Sequence, residues 1–385
     1  MTLQIERRLQ QPRWLSVAVP IGSIAFAFLV MAAVLGVTGH DPLHVYRDLF
    51  DSAFIAEGAL TQTFVAATPL LFTGLAAAAA FRMQVWNIGA EGQLYCGAIG
   101  AAGVALQLGP DASSPLVIFA MVICGAAAGA VWGLIPGVLK TFARTNEIIT
   151  SLMLNYVAGY ILTWLIFDSA SYWRDLSSIQ ARSFPQAKPM TENAFWPTLD
   201  LGSGTSSVVI PLGFLIAIGI AVLLHVLYKH TKFGFEVQVI GDSTRAARYA
   251  GMRTRRKILA VFAISGGIAG IGGASQVGDF SHTLDADPNG LQKSYYGYTG
   301  IVVAALGRYN PFAVCLVGFL IGGLQNAGFT LQGADFPSGL VGVMQGIILF
   351  CALGGELLIR YRVRWSSDAP VAAEEVQPAS VEGVP

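Results

Sequence analysis

One feature limits the folds open to this chain: long apolar runs follow one another, separated by short polar breaks. A helix that crosses the hydrocarbon core of a bilayer needs about 20 mostly apolar residues. Ten segments meet or approach that length: 15–37, 60–80, 88–108, 115–138, 147–167, 208–228, 258–278, 296–307, 311–331 and 338–359. The eighth is too short to cross alone as a regular helix. It is expected either to be extended by Tyr295 and its neighbours or to be broken inside a protein-lined cavity. Composition closes the alternatives. Only 12% of the 385 residues are charged, about half the roughly 25% usual in soluble domains. That is too few to coat a water-soluble particle of this size. The hydrophobic share of 54% excludes disorder for most of the chain, and the 44 glycines follow no three-residue period, which excludes collagen. The predicted fold class is an all-α polytopic membrane protein of about ten transmembrane helices.

The formal charge is zero, which leaves nucleic acid without an electrostatic footprint. Yet the basic residues are not evenly spread. With the N-terminus in the cytoplasm and ten alternating spans, 18 of the 23 Lys and Arg fall on inner segments. The eight from Lys229 to Lys257 form the largest group. Arg47, Arg174, Arg182, Lys188 and Lys293 fall outside. Basic residues favour the cytoplasmic side, so both termini are expected there. Without the eighth segment, Arg308 or Arg360 to Arg364 would be stranded on the wrong side. The first apolar run follows Arg7, Arg8 and Arg13, as a signal peptide would. It exceeds 20 residues and has no clear small-x-small cleavage site, so it reads as an uncleaved span. The chain then divides into a cytoplasmic N-terminus (1–14), a transmembrane domain (15–365) and a disordered cytoplasmic tail (366–385). The domain contains an outer loop (168–207) expected to cap the helix ends, and an inner loop (229–257). Spans two to five begin outside and spans seven to ten begin inside, the arrangement of an inverted repeat.

Metal and redox chemistry find no foothold. Cys96, Cys124, Cys315 and Cys351 stand alone in apolar runs, and the five histidines form no ligand pair within a span. No metal site, cofactor or catalytic residue is expected.

Polar residues inside spans need a reason. In W-N-I-G-A-E-G-Q (Trp86 to Gln93), Asn87 is placed to cap the third span. Glu91 lies one turn in, where the helix dipole favours a carboxylate. Gly89, Gly92 and Gly97 admit close approach of a neighbouring helix or a solute. A capped, tightly packed helix start explains the cluster. So does a direct role for Asn87, Glu91 or Gln93 in a translocation path. In T-N-E-I-I-T-S-L-M-L-N-Y (Thr145 to Tyr156), Asn146 is a candidate N-cap, and Ser151 and Asn155 lie side by side. Tyr156, Tyr160 and Trp164 make an aromatic stripe, suited either to packing or to stacking a planar or sugar ring. Gln325 and Asn326, with Gln332 beyond, are suited to interhelical hydrogen bonds or to the path.

The inner loop reads G-D-S-T-R-A-A-R-Y-A-G-M-R-T-R-R-K, Gly241 to Lys257. Topology and contact with anionic membrane lipid account for its charge. They do not account for the small-residue patch Ala246, Ala247, Ala250 and Gly251, which suits close docking of a partner. The stretch Arg245 to Gly251, R-A-A-R-Y-A-G, resembles the E-A-A-x-x-x-G coupling loop of ABC importer permeases, with Arg245 where Glu is usual. N-I-G-A-E-G-Q, N-E-I-I-T-S-L-M-L-N-Y and Y-T-G-I-V-V-A-A-L-G-R-Y-N-P-F (Tyr298 to Phe312) resemble the branched-chain amino acid, ribose and nucleoside group of those permeases, most of all its nucleoside or simple-sugar branch. The resemblance spans about 60–360. It implies a permease subunit in the plasma (inner) membrane, moving nucleosides or related small polar solutes by alternating access. It also implies a second homologous permease in a heterodimer, a cytoplasmic ABC ATPase and an extracytoplasmic substrate-binding protein. Arg245, Ala246, Ala247, Arg248 and Gly251 would couple to the ATPase.

The residues agree with that implication. The chain has no G-x-x-x-x-G-K-[ST], so ATP is expected on a separate subunit and the chain reads as a transport component, not an enzyme. An ion-coupled secondary transporter or channel is the alternative, disfavoured because Glu91 is the one acid clearly within a span. Sugars and branched-chain amino acids remain alternative substrates.

Overall fold

A computed structural model describes residues 2–7, 15–202, 207–291, 295–331 and 339–366. Gln332 and the tail from residue 367 onward lie outside the described residues. The helices are α1 (Leu15–Val37), α2 (Pro42–Phe50), α3 (Ala59–Phe81), α4 (Ala90–Leu108), α5 (Ser114–Val138), α6 (Glu147–Thr163) and α7 (Ile179–Ser183). They continue with α8 (Leu212–His230), α9 (Lys232–Asp242), α10 (Thr244–Tyr249), α11 (Thr254–Ser275), α12 (Tyr296–Leu306), α13 (Pro311–Thr330) and α14 (Leu340–Arg360). Each of the ten apolar segments is occupied by a helix. Six of these, some with their π-helical continuations, are long and apolar enough to cross a membrane by length and composition among the described residues. They are Ala59–Phe81, Ser114–Ala143, Glu147–Asp168, Leu212–His230, Thr254–Ser281 and Pro311–Thr330. α4 is not among them: Glu91, Gln93 and Gln107 interrupt its apolar residues, and most of the helix is buried in protein. Tyr295 does not extend α12. It is the left-handed residue that precedes an eleven-residue helix.

The chain forms two compact units. One comprises Met1–Ala33 and Gly346–Pro385. In it, strand β1 (Thr2–Arg7) pairs antiparallel with β4 (Tyr361–Ser366), with Thr2 opposite Ser366. No strand was anticipated at either place, because the segments carry helix-neutral charged residues and no turn between them.

The other unit, Val34–Gln345, holds the helical core. α3 packs on α8, α12 and α13, and α11 packs on α3, α4 and α5. Leu70, Leu71, Phe72 and Leu75 of α3 are fully buried against α8, α11, α12 and α13. α5 carries glycines at 125, 129, 133 and 137, one per turn. At Gly129 a β-carbon would stand 2.3 Å from the Gly266 carbonyl oxygen of α11 and 2.6 Å from Gly270 Cα. The two backbones touch there, which is how small residues let apolar helices associate.

The described part of the 168–207 loop packs over helix ends. Its β2 (Thr198–Leu201) and β3 (Val208–Pro211) form an antiparallel hairpin. Asn193 Nδ2 donates to the Gly109 and Ala112 carbonyls at 2.8 and 2.9 Å, satisfying the end of α4. Trp173 Nε1 donates to Ile99 O at 3.1 Å. Trp196 is buried, and its backbone N–H donates to Gly278 O at 3.0 Å. Phe195 stacks on His282 at 3.8 Å, and burial holds that imidazole below its ordinary pKa, which keeps the stacked ring neutral.

Candidate functional site

The polar residues of the third and fifth apolar segments do not scatter. After α3 the chain turns through Gln84, at φ 55°, and brings Asn87 into the core. Asn87 and Gln93 form a reciprocal amide pair: each Nδ2 or Nε2 donates to the other side chain's oxygen at 3.1 Å. Asn87 Nδ2 also donates to Ser265 Oγ on α11 at 2.9 Å, and Ser265 donates to Ala76 O on α3 at 2.7 Å. Asn87 is therefore not the N-cap of α4, as the sequence suggested. Gly89 holds that position without a side-chain bond. Asn87 Oδ1 instead accepts the Gly89 N–H at 3.0 Å, closing the turn ahead of the helix, and its amide is committed across the bundle.

Asn155 of α6 reaches into the same knot. Its Oδ1 accepts the Gly92 N–H at 2.9 Å, and its Nδ2 donates to Ile88 O at 2.9 Å and to Tyr298 Oη at 3.2 Å. Ser151 Oγ accepts the Ile88 N–H at 3.1 Å. Asn146 caps α6 as expected, accepting the Ile148 N–H at 2.9 Å. Glu147 behind it is buried and pairs with Lys140 at 2.5 Å.

Glu91 is fully buried in the first turn of α4. It accepts the Tyr95 hydroxyl at 2.5 Å and the backbone N–H of Gly297, in the first turn of α12. One carboxylate thus sits at the positive ends of two helices. Gly297 has no room for a side chain: a β-carbon would lie 2.3 Å from the Glu91 nitrogen. A second acid sits at the far end of α11. Asp279 lies within the π-helical end of α11, Gln276–Ser281, accepting from Ser275 Oγ at 2.7 Å and from the Gly213 N–H at 3.0 Å. The apolar segment 258–278 stops one residue short of it.

The other candidates sit elsewhere. Tyr156 and Tyr160 are exposed on α6, 44% and 58%, with Trp164 beyond them at 56%. Tyr295 is also exposed, and its ring lies 6.1 Å from that of half-buried Tyr298. Neither tyrosine was marked as a site residue from the sequence, since both are far in the chain from α6, which Tyr298 meets through Asn155. Asn326 is buried at the head of α3, where its Nδ2 donates to Ala59 O at 3.1 Å, Thr63 Oγ1 at 3.2 Å and Ser52 O at 3.3 Å. That is about 25 Å along α3 from the knot, so Gln325 and Asn326 are not part of one site with Asn87.

The basic loop folds into two short helices. Thr231 caps α9, and Ser243 Oγ caps α10 by accepting the Ala246 N–H at 3.2 Å. Arg245, Ala246 and Arg248 are exposed, whereas Ala247 is completely buried. The expectation that Ala247 belongs to a docking surface is corrected: it seats α10 on the core. Gly251, at φ +75°, turns the chain from α10 into α11. Tyr249, 97% exposed, projects from the end of α10. It lay unremarked inside the motif because the pattern there reads as any residue.

A family model described as the branched-chain amino acid transport system permease component matches residues 59–353. The chain is 32% identical to the glucose ABC transporter permease protein TsgB13 of Haloferax volcanii, over 96% of this chain and 97% of that one. It is 30% identical to the nucleoside ABC transporter permease protein NupB of Lactococcus lactis, over 87% and 90% of the two chains. It is also 30% identical to the guanosine ABC transporter permease protein NupP of Bacillus subtilis, over 86% and 91%. No solved structure matches the chain at a significant level.

Proposed function

The chain belongs to the permease-component family of branched-chain amino acid transport systems, and from that membership we propose that it forms the translocation path for nucleosides in an ATP-driven importer. Family members are multi-pass plasma-membrane subunits of ABC transporters, transport components that work with an ATPase and a substrate-binding protein. The finer reading is ours. A second homologous permease completes a heterodimer, α10 engages the ATPase, and ATP binding there rocks the helices between outward and inward access. The chain holds no nucleotide-phosphate motif, so the energy enters through α10 and its neighbours.

One observation carries the path assignment. Helices α5, α8 and α13 expose Leu, Ile, Val and Phe, as lipid-facing helices do. Among the described residues, α6 is the one helix of membrane-crossing length that exposes tyrosines. A phenol hydroxyl left in hydrocarbon costs free energy, so this face suits a polar path or a partner's polar surface. Tyr156 and Tyr160 supply flat rings for stacking a nucleobase. Directly behind them, Asn155 ties α6 to the knot of Asn87, Glu91 and Gln93. Packing supports the inverted repeat as well: α3 meets α12 and α13 as α11 meets α4 and α5.

Uptake of labelled guanosine and labelled glucose, in cells with and without this gene, tests the reading. Guanosine uptake is expected to fall on deletion and to fail on return of the Y156A/Y160A variant. Retained guanosine uptake with lost glucose uptake would move the substrate to sugars. Solute movement by the purified chain alone, under an ion gradient, would overturn ATP coupling in favour of a secondary transporter.

A further inference from the structure

A cavity of about 530 Å³ opens between α9 and the head of α11, beside the turn that follows α10. Phe233 and Glu236 of α9 form one wall, and Gly251, Arg253, Arg256 and Lys257 form much of the rest. Lys257 is spoken for. Its ammonium pairs with the Glu236 carboxylate and stands 4.7 Å from the centre of the Phe233 ring. That contact consumes the one acid in the wall and one of the three cations. Arg253 and Arg256 are exposed, and neither guanidinium has an ion pair, side-chain hydrogen bond or ring contact among the described residues. Neighbouring Arg255, in contrast, lies over the Phe142 ring, 5.7 Å from its centre. The cavity therefore presents two uncompensated guanidinium groups on a concave surface. Their planar forks match the oxygens of a phosphate group better than a lysine's point charge would.

The depth of the cavity narrows the source. The helix from Thr254 to Ser281 has 28 residues, about 42 Å at 1.5 Å per residue. The hydrocarbon core is about 30 Å thick, and about 40–45 Å with both headgroup layers. A helix of that length extends past the acyl chains at its ends. The cavity is built on its first two turns, at headgroup level. Positive-inside topology puts that end at the inner leaflet, where anionic lipids concentrate.

We propose that this cavity binds a phosphate-bearing anion drawn from the inner leaflet, the headgroup of an anionic phospholipid, with Arg253 and Arg256 as its phosphate contacts. The Lys257–Glu236 pair holds α9 against α11 and so keeps the walls in place. Gly251 is shared between the cavity wall and the turn after α10, so a bound headgroup would also brace that turn. The binding site stands without the assignment of α10 to the ATPase; only the consequence of bracing rests on it.

The test uses the full-length chain in a neutral detergent and three probes: dioctanoyl-phosphatidylglycerol, dioctanoyl-phosphatidylcholine and inorganic phosphate. Binding is read by native mass spectrometry and by ligand-induced thermal shift. Phosphatidylglycerol is expected to bind roughly tenfold or more tightly than phosphatidylcholine, from about two favourable cationic contacts. R253Q/R256Q should erase that preference, while R253K/R256K should keep most of it. Both positions are exposed, and an unchanged elution volume verifies the fold. Equal affinity for the two lipids, or an undiminished preference in R253Q/R256Q, overturns the proposal. Inorganic phosphate binding more tightly than phosphatidylglycerol would assign the site to a soluble anion and overturn the leaflet as its source. Lost ATPase association in R253Q/R256Q with unchanged lipid preference would give the cavity to the ATPase.

Discussion

Glu91 shows how one buried side chain organises two helices that are remote in sequence. Its place in the first turn of α4 follows from W-N-I-G-A-E-G-Q, but its partner Gly297 lies 206 residues away and no local pattern announces it. Asn87 was misplaced for a related reason. An Asn ahead of a helix reads as a cap, and only tertiary contact shows its amide committed to Gln93 and Ser265. The glycines of α5 are a third case. Their four-residue spacing is legible as a close-packing ridge, whereas the identity of the opposing helix is not. Gly129→Ala is therefore a sharp test. Its β-carbon meets backbone atoms of Gly266 and Gly270, which cannot swing aside as a side chain would. Overpacking of this kind costs about 1–3 kcal/mol, so the variant should melt earlier in detergent. Gly219→Ala on α8 is the control. It is exposed and has nothing within 4 Å, so the better helix propensity of Ala should leave it unchanged or up to about 1 kcal/mol more stable. A Gly129→Ala chain that melts with the wild type would show that α5 and α11 do not touch as described.

Among the elements, α10 separates what a motif contains from what it presents. R-A-A-R-Y-A-G located the loop but assigned Ala247 to the surface. A six-residue helix must anchor one side to remain in place, and Ala247 is that side. Tyr249 faces outward instead, nearly fully exposed, which an isolated soluble surface has little reason to maintain with so large a ring. Aromatic residues that fill a partner's pocket dominate interface energetics. Tyr249→Ala should leave the melting temperature of the isolated permease unchanged, since no buried contact is lost and such surface changes stay within about 0.5 kcal/mol. It should weaken association with the cognate ATPase by roughly tenfold or more, read by surface plasmon resonance on nanodisc-embedded permease. An unchanged affinity would remove α10 from the docking surface. The apolar helices themselves were legible to within about four residues at each end, because each is more apolar than the elements around it. The short helices α9 and α10 and the strands β1 and β4 were not. Their stability comes from caps and from pairing partners that the local sequence does not specify.

For the molecule as a whole, orientation follows from charge and from length together. The outer loop leads into β3, the basic loop includes α9, and α8 alone joins them. Its 19 residues rise about 28 Å, close to the roughly 30 Å hydrocarbon thickness of a bilayer. The two polar regions are therefore spaced to face opposite sides of the membrane. Between them the basic residues choose a direction, with eight from Lys229 to Lys257 against three in residues 168–207. The positive-inside bias predicts that the larger group lies in the cytoplasm. Single cysteines test this in a background lacking Cys96, Cys124, Cys315 and Cys351. Ser177 in the outer loop and Ala250 beyond α10 are both exposed and carry small side chains, so Ser177→Cys and Ala250→Cys should fold normally. A membrane-impermeant maleimide applied to intact cells should label Ser177→Cys and spare Ala250→Cys. Inside-out vesicles should reverse the pattern. Labelling of Ala250→Cys in intact cells would place the basic loop outside. That result would separate α10 from any cytoplasmic ATPase and remove the inner leaflet from the Arg253 cavity. Labelling of both positions from one side would instead show that α8 does not cross the membrane.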